Sequence, residues 1–179
     1  EHYMGLFDGV SGTTVGYANG NISDPTYEMV YTDQTGHAEC VKVTYDDDLI
    51  SLATLCRLFF RSIDPILMNR QGNDVGTRYR TGIYWTDAED KAVIDAVYAE
   101  MQQKSSSPLA VEKAELRCFY PAEEYHQKYL VKNPGGYCHL SLSLLRSAAD
   151  YSLIIKELRS CSDDEKKAVL PRFFKTGKG

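Results

Sequence analysis

The fold of this chain can be predicted outward from the stretch Val10-Ser-Gly-Thr-Thr-Val-Gly-Tyr-Ala-Asn-Gly20. Val10 to Ala18 is typical of a β-strand, and the Gly-Tyr-Ala-Asn-Gly sequence indicates the turn that ends it. Residues 37–45 alternate between apolar and polar side chains, as expected of a second, half-buried strand. Ser51 is then expected to cap a helix, in which apolar residues recur at steps of three and four and predict a core-facing stripe: Leu52, Leu55, Cys56, Phe59 and Ile63.

Strands and helices are predicted to follow one another irregularly along the rest of the chain. Further strands are expected at residues 79–85 and 109–116, separated by a long helix that begins at a capping box formed by Thr86 and Glu89. The other segments are a polar loop, a short helix, an irregular tail and a Leu-rich helix, at residues 66–78, 122–130, 133–138 and 140–158. A second capping box is expected at Ser162 and Glu165.

This order of elements predicts an α+β fold. We expect a two-layer α/β sandwich with a ferredoxin-like core, in which helices pack on a mixed, mainly antiparallel sheet whose strand order the sequence leaves open. Residues 1–139 are predicted to form one domain that ends in the irregular tail. Residues 140–179, where the composition changes, are predicted to form a C-terminal helical extension.

The first residues predict a helix that opens without a cap. Tyr3, Met4 and Phe7 share one helical face, and Gly9 is a plausible C-terminal stop. No capping residue precedes them. We therefore expect the N-terminal half of this helix to lie ahead of Glu1.

Composition excludes several classes of protein. The 179 residues carry a net charge of −5 with no basic stripe, so nucleic acid is not an expected partner. No apolar run approaches the roughly 20 residues that span a bilayer, so no membrane partner is expected and a cytoplasmic location is predicted. Five cysteines at irregular spacing, without a Cys-x-x-Cys pair, argue against a disulfide scaffold or a zinc site.

Six short motifs, most of them polar where hydrophobic periodicity would not require it, carry a family resemblance. In chain order they are Gly16-Tyr-Ala-Asn-Gly20, Pro25-Thr-Tyr-Glu28, Gly36-His-Ala-Glu39, Arg70-Gln-Gly-Asn-Asp-Val-Gly-Thr-Arg-Tyr79, Phe119-Tyr-Pro-Ala-Glu-Glu-Tyr-His126 and Asn133-Pro-Gly-Gly-Tyr-Cys138. Their order and spacing across residues 1–139 resemble the A-type methionine sulfoxide reductases, the peptide-methionine (S)-S-oxide reductases. Any one motif would be weak, but six in order are specific.

The resemblance implies a reaction and a missing nucleophile. The family reduces the S epimer of methionine sulfoxide, free or in proteins, by attack of a cysteine thiolate, and thereby repairs oxidised proteins. Its Gly-Cys-Phe-Trp-Gly motif, which is absent from these 179 residues, stands just before the position of Glu1 at a helix start. A helix N-terminus favours the thiolate. We expect that motif to precede Glu1, and no metal or organic cofactor.

The resemblance also assigns roles to four side chains around the substrate. Glu39 resembles the acid that donates to the sulfoxide oxygen, which its small and apolar strand neighbours favour because burial keeps a carboxyl protonated. Tyr17 and Tyr79 resemble the two hydroxyl donors, and Asp74 the carboxylate that organises the site. From the residues alone, Glu39 could equally face water, the tyrosines could be ordinary strand residues, and Asp74 could be a turn-former.

Cys138 resembles the recycling cysteine, whose thiol condenses with the sulfenic acid left on the nucleophile. The resulting disulfide would be reduced by thioredoxin or a similar dithiol. The role of Cys161 stays open. Glu123 and His126 have the spacing of half a di-iron site, but no second copy exists, so His126 and the flanking Tyr125 and Tyr129 are expected to support the site instead.

Two other functions fit parts of the sequence. The chain could be a non-catalytic module that binds methionine sulfoxide, which the residue ahead of Glu1 would decide. A hydrolase that uses Cys138 and His139 is disfavoured, because adjacent residues do not easily bring thiol and imidazole together. A monomer is expected in either case.

Overall fold

The computed structural model describes residues 1–160 of the chain. Its helices are α1 (Tyr27–Tyr31), α2 (Leu52–Arg61), α3 (Asp90–Lys104), α4 (Tyr129–Lys132) and α5 (Leu142–Ser160). Its strands are β1 (Val10–Ala18), β2 (Ala38–Tyr45), β3 (Arg70–Gln71), β4 (Asp74–Val75), β5 (Gly82–Trp85), β6 (Glu112–Glu115) and β7 (Phe119–Pro121). Two short 3₁₀ turns lie at Met4–Leu6 and Thr77–Tyr79. The predicted α+β class is confirmed.

The central sheet is antiparallel and has the strand order β2-β1-β7. Strand β1 pairs with β2 over its whole length, so that Tyr17 lies opposite Glu39. On its other side Tyr17 lies opposite Tyr120 of β7. A separate pair, β5 and β6, is parallel and is connected through helix α3, while β3 and β4 form a small antiparallel hairpin. Strand β1 is therefore the central strand of this sheet, and Tyr17 near its C-terminal end is flanked by residues of both neighbouring strands.

Helix α2 stands between two apolar clusters. Leu55 and Leu58 pack into one cluster with Tyr3, Phe7, Ile50 and Ala148, and Cys56 and Phe60 pack into the other with Ile94, Val97, Leu109 and Val111. The predicted cap is confirmed, because the Ser51 side chain accepts a hydrogen bond from the Thr54 amide. The predicted Leu-rich helix is present as α5, and its Ala148 is buried in the first cluster.

Two predicted helix features are wrong. The predicted capping box of Thr86 and Glu89 does not form at the start of α3: the Glu89 amide donates to the Asp87 carboxylate, and the helix begins at Asp90 without a side-chain cap. Within the predicted span 122–130, residues 124–128 form turns, and only Tyr129 and Leu130 are helical, at the start of α4. The reason is tertiary: the Gln127 side chain bonds both the amide and the carbonyl of Val15, and so extends the sheet where a helix was expected.

Two further outcomes concern the ends of the chain. The first residues form only a 3₁₀ turn, yet Tyr3 and Phe7 are buried with their rings 5.2 Å apart, on one face as predicted. Ser162, Glu165 and Cys161 lie outside the described residues. Among residues 1–160, no helix is both long and apolar enough to cross a membrane.

Candidate active site

Glu39 and Tyr17 form a cross-strand pair at the polar end of the central sheet. The pairing follows from the β1–β2 register, and Tyr17 is buried. Gly16 permits β7 to pair on the other side of β1, because a Cβ at that position would lie 2.4 Å from the Tyr120 carbonyl oxygen and 2.6 Å from the Phe119 ring. A residue with a side chain could not be accommodated there without displacing β7.

The Glu39 carboxyl lies in a setting that favours its neutral form. Its Oε1 atom is buried without a hydrogen-bond partner, and the nearest cationic atom is Nε of Arg78 at 3.9 Å. Burial raises the pKa of Glu39; Arg78 opposes that rise, while Asp74 and Asp33 add to it. A protonated carboxyl here can donate a hydrogen bond.

Tyr79 reaches the same place from the 3₁₀ turn Thr77–Tyr79. Its ring lies 4.5 Å from the Arg78 guanidinium carbon, and burial raises the pKa of its hydroxyl, with Glu39 and Asp74 adding to the rise and Arg78 opposing it. The structure therefore brings Tyr17, Glu39, Arg78 and Tyr79 together, and we call these four residues the acid centre. Asp74 borders the acid centre, since it affects the pKa of both Glu39 and Tyr79.

The Tyr17 hydroxyl is engaged with a residue that the sequence did not assign to the site. It donates to Oε2 of Glu123 at 2.7 Å, and Oε1 of Glu123 accepts from the Tyr27 amide at 2.8 Å. Burial opposes the charge of Glu123, but these hydrogen bonds hold its pKa below the usual value. The signal that could have indicated Glu123 was its place in the polar motif of residues 119–126. His126 packs on Tyr27 at 4.7 Å, in the supporting position expected for it.

Cys138 lies on an irregular segment that reaches Asp74, at the border of the acid centre. We call residues 133–141 the Cys138 tail. The hydroxyl of Tyr137 donates to Oδ2 of Asp74 at 3.4 Å, which links the tail to the acid centre. Cys138 is half-buried and lines a cleft with Glu1, Tyr137 and His139, and within the described residues no hydrogen bond joins its thiol to His139.

The amino group of Glu1 is buried at this cleft, which Glu1 lines together with Cys138. Burial lowers its pKa, and the Cys138 thiol is close enough to affect it. The Glu1 carboxylate is fixed by the Lys128 amide at 2.7 Å and the Thr13 hydroxyl at 3.4 Å.

The remaining described thiols differ from Cys138 in their surroundings. Burial raises the pKa of Cys40 to about 12 and that of Cys56 to about 11, so both are protonated at neutral pH. Cys40, Cys56, Cys118 and Cys138 are all free. Within residues 1–160, no group of three histidine, cysteine or acidic side chains is arranged to hold a metal ion.

A neutral acid with phenolic hydroxyls, linked through Asp74 and Tyr137 to a cleft that Cys138 lines, suits an oxygen-bearing substrate and thiol chemistry. The family model described as peptide methionine sulfoxide reductase matches residues 1–156. Peptide methionine sulfoxide reductase MsrA of Clostridium acetobutylicum is 51% identical over 146 residues, which cover 82% of this chain and 90% of the relative. The MsrA of Mycoplasma genitalium is 49% identical over 140 residues, or 78% and 89% of the two chains.

Solved structures agree with these relatives. Mxr1 from Saccharomyces cerevisiae in reduced form superposes with a TM-score of 0.72 at 38% identity, over 75% of this chain and 79% of that chain. Methionine sulfoxide reductase A of Corynebacterium diphtheriae gives a TM-score of 0.65 at 33% identity, over 73% and 67%. The chain belongs to the peptide methionine sulfoxide reductase family of enzymes.

Proposed function

We propose that this protein reduces the S epimer of methionine sulfoxide, free or in oxidised proteins, with Glu39 as the acid that activates the substrate. One observation carries the proposal. Oε1 of Glu39 is buried without a hydrogen-bond partner, and its surroundings raise the pKa of this carboxyl. A sulfoxide oxygen gains negative charge as a thiolate adds to the sulfur. It is therefore stabilised by a neutral acid and repelled by an ionised one.

In the proposed reaction a thiolate attacks the sulfoxide sulfur while Glu39 donates to the departing oxygen. A bond forms between the cysteine and substrate sulfurs, and the S–O bond of the substrate breaks as the protonated oxygen leaves as water. Water then adds to the cysteine sulfur and the S–S bond breaks, so that methionine leaves and the enzyme thiol, now oxidised, is a sulfenic acid. Tyr79 supplies a second donor. Tyr17 would supply a third only after its hydroxyl exchanges the Glu123 carboxylate for the substrate oxygen.

Recycling is proposed to use Cys138. Its thiol attacks the sulfenic acid, a disulfide forms and water leaves. A dithiol such as thioredoxin then reduces the disulfide and is itself oxidised. The half-buried position of Cys138 in the cleft, beside the Glu1 amino group, supports this role. Asp74 is proposed to organise the site through its contact with Tyr137.

The nucleophile is proposed to be the cysteine of the family motif ahead of Glu1. Two features support this assignment: the raised pKa values of Cys40 and Cys56 keep both thiols protonated, and Glu1 lines the same cleft as Cys138. The test compares the polypeptide of residues 1–179 with the same polypeptide carrying Gly-Cys-Phe-Trp-Gly ahead of Glu1, both with dithiothreitol. Only the second should form methionine, and equal turnover by both would contradict the assignment.

The alternative is a module that binds methionine sulfoxide without reducing it. It is favoured if the residue at the motif position in the encoded protein is not cysteine, and if the 1–179 polypeptide binds the sulfoxide without turnover. We further propose a monomer that acts in protein repair during oxidative stress in the cytoplasm, where thiols such as the four free cysteines stay reduced. The division into residues 1–139 and 140–179 stays a prediction.

A further inference from the structure

Arg78 is a buried cation that stands between two carboxylates. Its side chain is only 9% exposed, and its guanidinium carbon lies 4.4 Å from the ring centroid of Tyr31 and 4.5 Å from that of Tyr79. Nη1 lies 2.7 Å from Oδ2 of Asp33, whereas Nε lies 3.9 Å from Oε1 of Glu39. The cation therefore makes its close, hydrogen-bonded ion pair with Asp33 and only a longer one with Glu39.

The Asp33 side of this arrangement is held by several hydrogen bonds. Oδ1 of Asp33 accepts from the Arg78 amide at 2.9 Å and from the Thr77 hydroxyl at 3.0 Å. Nη1 of Arg78 also donates to the Tyr31 carbonyl at 3.1 Å. The absence of a side chain at Gly76 is needed, since a Cβ there would lie 2.6 Å from Oδ2 of Asp33. Arg78 cannot turn toward Glu39 without breaking this set of charge-assisted bonds.

On the Glu39 side, the facing atoms are buried and unsatisfied. Nε of Arg78 and Oε1 of Glu39 both lack a hydrogen-bond partner within the described part of the chain. An unopposed cation at such a distance lowers the pKa of a carboxyl by about one to three units. The anionic charge of Asp33 works in the other direction and adds to the raised pKa of Glu39, whose largest cause is burial.

The groups that face Glu39 come from several elements. They are Arg78, Asp74 and Asp33, the hydroxyls of Tyr17, Tyr27 and Tyr79, and the neighbouring thiol of Cys40. Arg78 is the one cation in this set, so its pairing decides how much positive charge reaches Glu39.

We propose that Asp33 is a positioning residue for the reduction, which holds and neutralises Arg78 so that Glu39 keeps its proton and can donate to the sulfoxide oxygen. The inference rests on the proposed function of Glu39. It adds a residue outside the substrate contacts that sets the charge state of the acid.

The test is a titration of the Glu39 carboxyl by NMR in the 179-residue protein with ¹³C-labelled glutamate. The signal is assigned by its loss in Glu39→Gln. Asp33→Asn removes the charge but keeps an amide oxygen for the Arg78 amide, and we expect it to lower the titration midpoint of Glu39 by about one unit or more. Arg78→Gln leaves Asp33 unopposed and should raise the midpoint, and the double variant should return it toward wild type.

Opposite shifts in the two single variants cannot come from a general loss of stability. An unchanged midpoint in Asp33→Asn, or shifts of the same sign in both, would overturn the proposal. If Asp33→Asn does not fold, the test rests on Arg78→Gln alone. A titration midpoint of Glu39 that does not rise in Arg78→Gln would contradict the proposal. A wild-type Glu39 that is already ionised at neutral pH would refute the acid role itself, whereas a protonated Glu39 that ignores Asp33 refutes only the present inference.

A second readout is the rate of methionine formation by the protein that carries Gly-Cys-Phe-Trp-Gly ahead of Glu1. With dithiothreitol as reductant, kcat/KM of Asp33→Asn should fall about tenfold for each pH unit above the lowered titration midpoint of Glu39 in this variant. It should recover near wild-type activity at lower pH. An equal loss at every pH would indicate a merely structural role for Asp33.

Discussion

The acid centre and the Cys138 tail are built in contrasting ways. Tyr17 and Glu39 sit on strands whose backbones are paired, with a fixed register on both sides of β1. The Cys138 tail has an internal bond from the Gly136 amide to the Asn133 carbonyl, and a Cβ at Gly135 would meet nothing within 4 Å. Donors that must meet one oxygen benefit from rigid placement, whereas a thiol that acts only after the substrate has left must be able to approach.

The largest effect is expected at Glu39, in the protein that carries the upstream motif. Glu39→Ala removes a donor to the sulfoxide oxygen and should lower kcat/KM by about 10²–10³-fold, as for other oxyanion donors. Glu39→Gln should keep more activity because its amide still donates. Wild-type activity should fall as pH rises through the raised pKa of Glu39, since only the protonated form donates. Methionine formation with dithiothreitol measures both effects, and identical pH profiles for wild type and Glu39→Gln would remove Glu39 from this role.

Cys138→Ser should spare the first turnover and block the later ones. Without reductant, the variant should release about one methionine per enzyme, because a single thiol passes to sulfenic acid. Thioredoxin with its reductase should restart wild type but barely restart the variant, which presents no disulfide to attack. Cys161→Ser is the matched control. If it stops cycling while Cys138→Ser does not, the recycling role belongs to Cys161.

Alanine substitutions at two glycines test directly whether the central sheet is packed more tightly than the Cys138 tail. Gly16→Ala forces a Cβ against the Tyr120 carbonyl and the Phe119 ring, and should lower the free energy of unfolding by about 1–3 kcal/mol. Gly135→Ala meets open space and should change it by less than about 0.5 kcal/mol. Chemical denaturation of both variants gives the comparison. Equal destabilisation would mean that the tail is as tightly packed as the sheet.

The smallest effect is expected where the tail touches the acid centre. Tyr137→Phe removes one long hydrogen bond to Asp74, and should slow thioredoxin-dependent turnover by only about twofold, equivalent to ~0.5 kcal/mol at the low end for a hydrogen bond. The dithiothreitol-dependent rate should stay unchanged. A tenfold loss would show that this contact holds the tail as firmly as the strand register holds Glu39.

Local patterns predicted much of this molecule. The bounds of β1, the strand at β2 and the Ser51 cap of α2 all follow from residues that lie close together in sequence. The six motifs were sufficient for the family, because it is recognised by residue order and spacing. Strand β7 was missed, since three residues that end in Pro121 carry little strand signal and pair only at the sheet edge.

The sequence by itself determined the α+β class and the family, and it supplied the candidate site residues, because period, capping and motif spacing are local properties of the chain. Only the tertiary structure decided the parallel pairing of β5 with β6, the use of Gln127 as an extension of the sheet, and the partners of the polar groups. Tyr17 and Glu123 are 106 residues apart, and Arg78 and Asp33 are 45 apart. Such contacts depend on which packing arrangement buries the core best, and no local pattern records that competition.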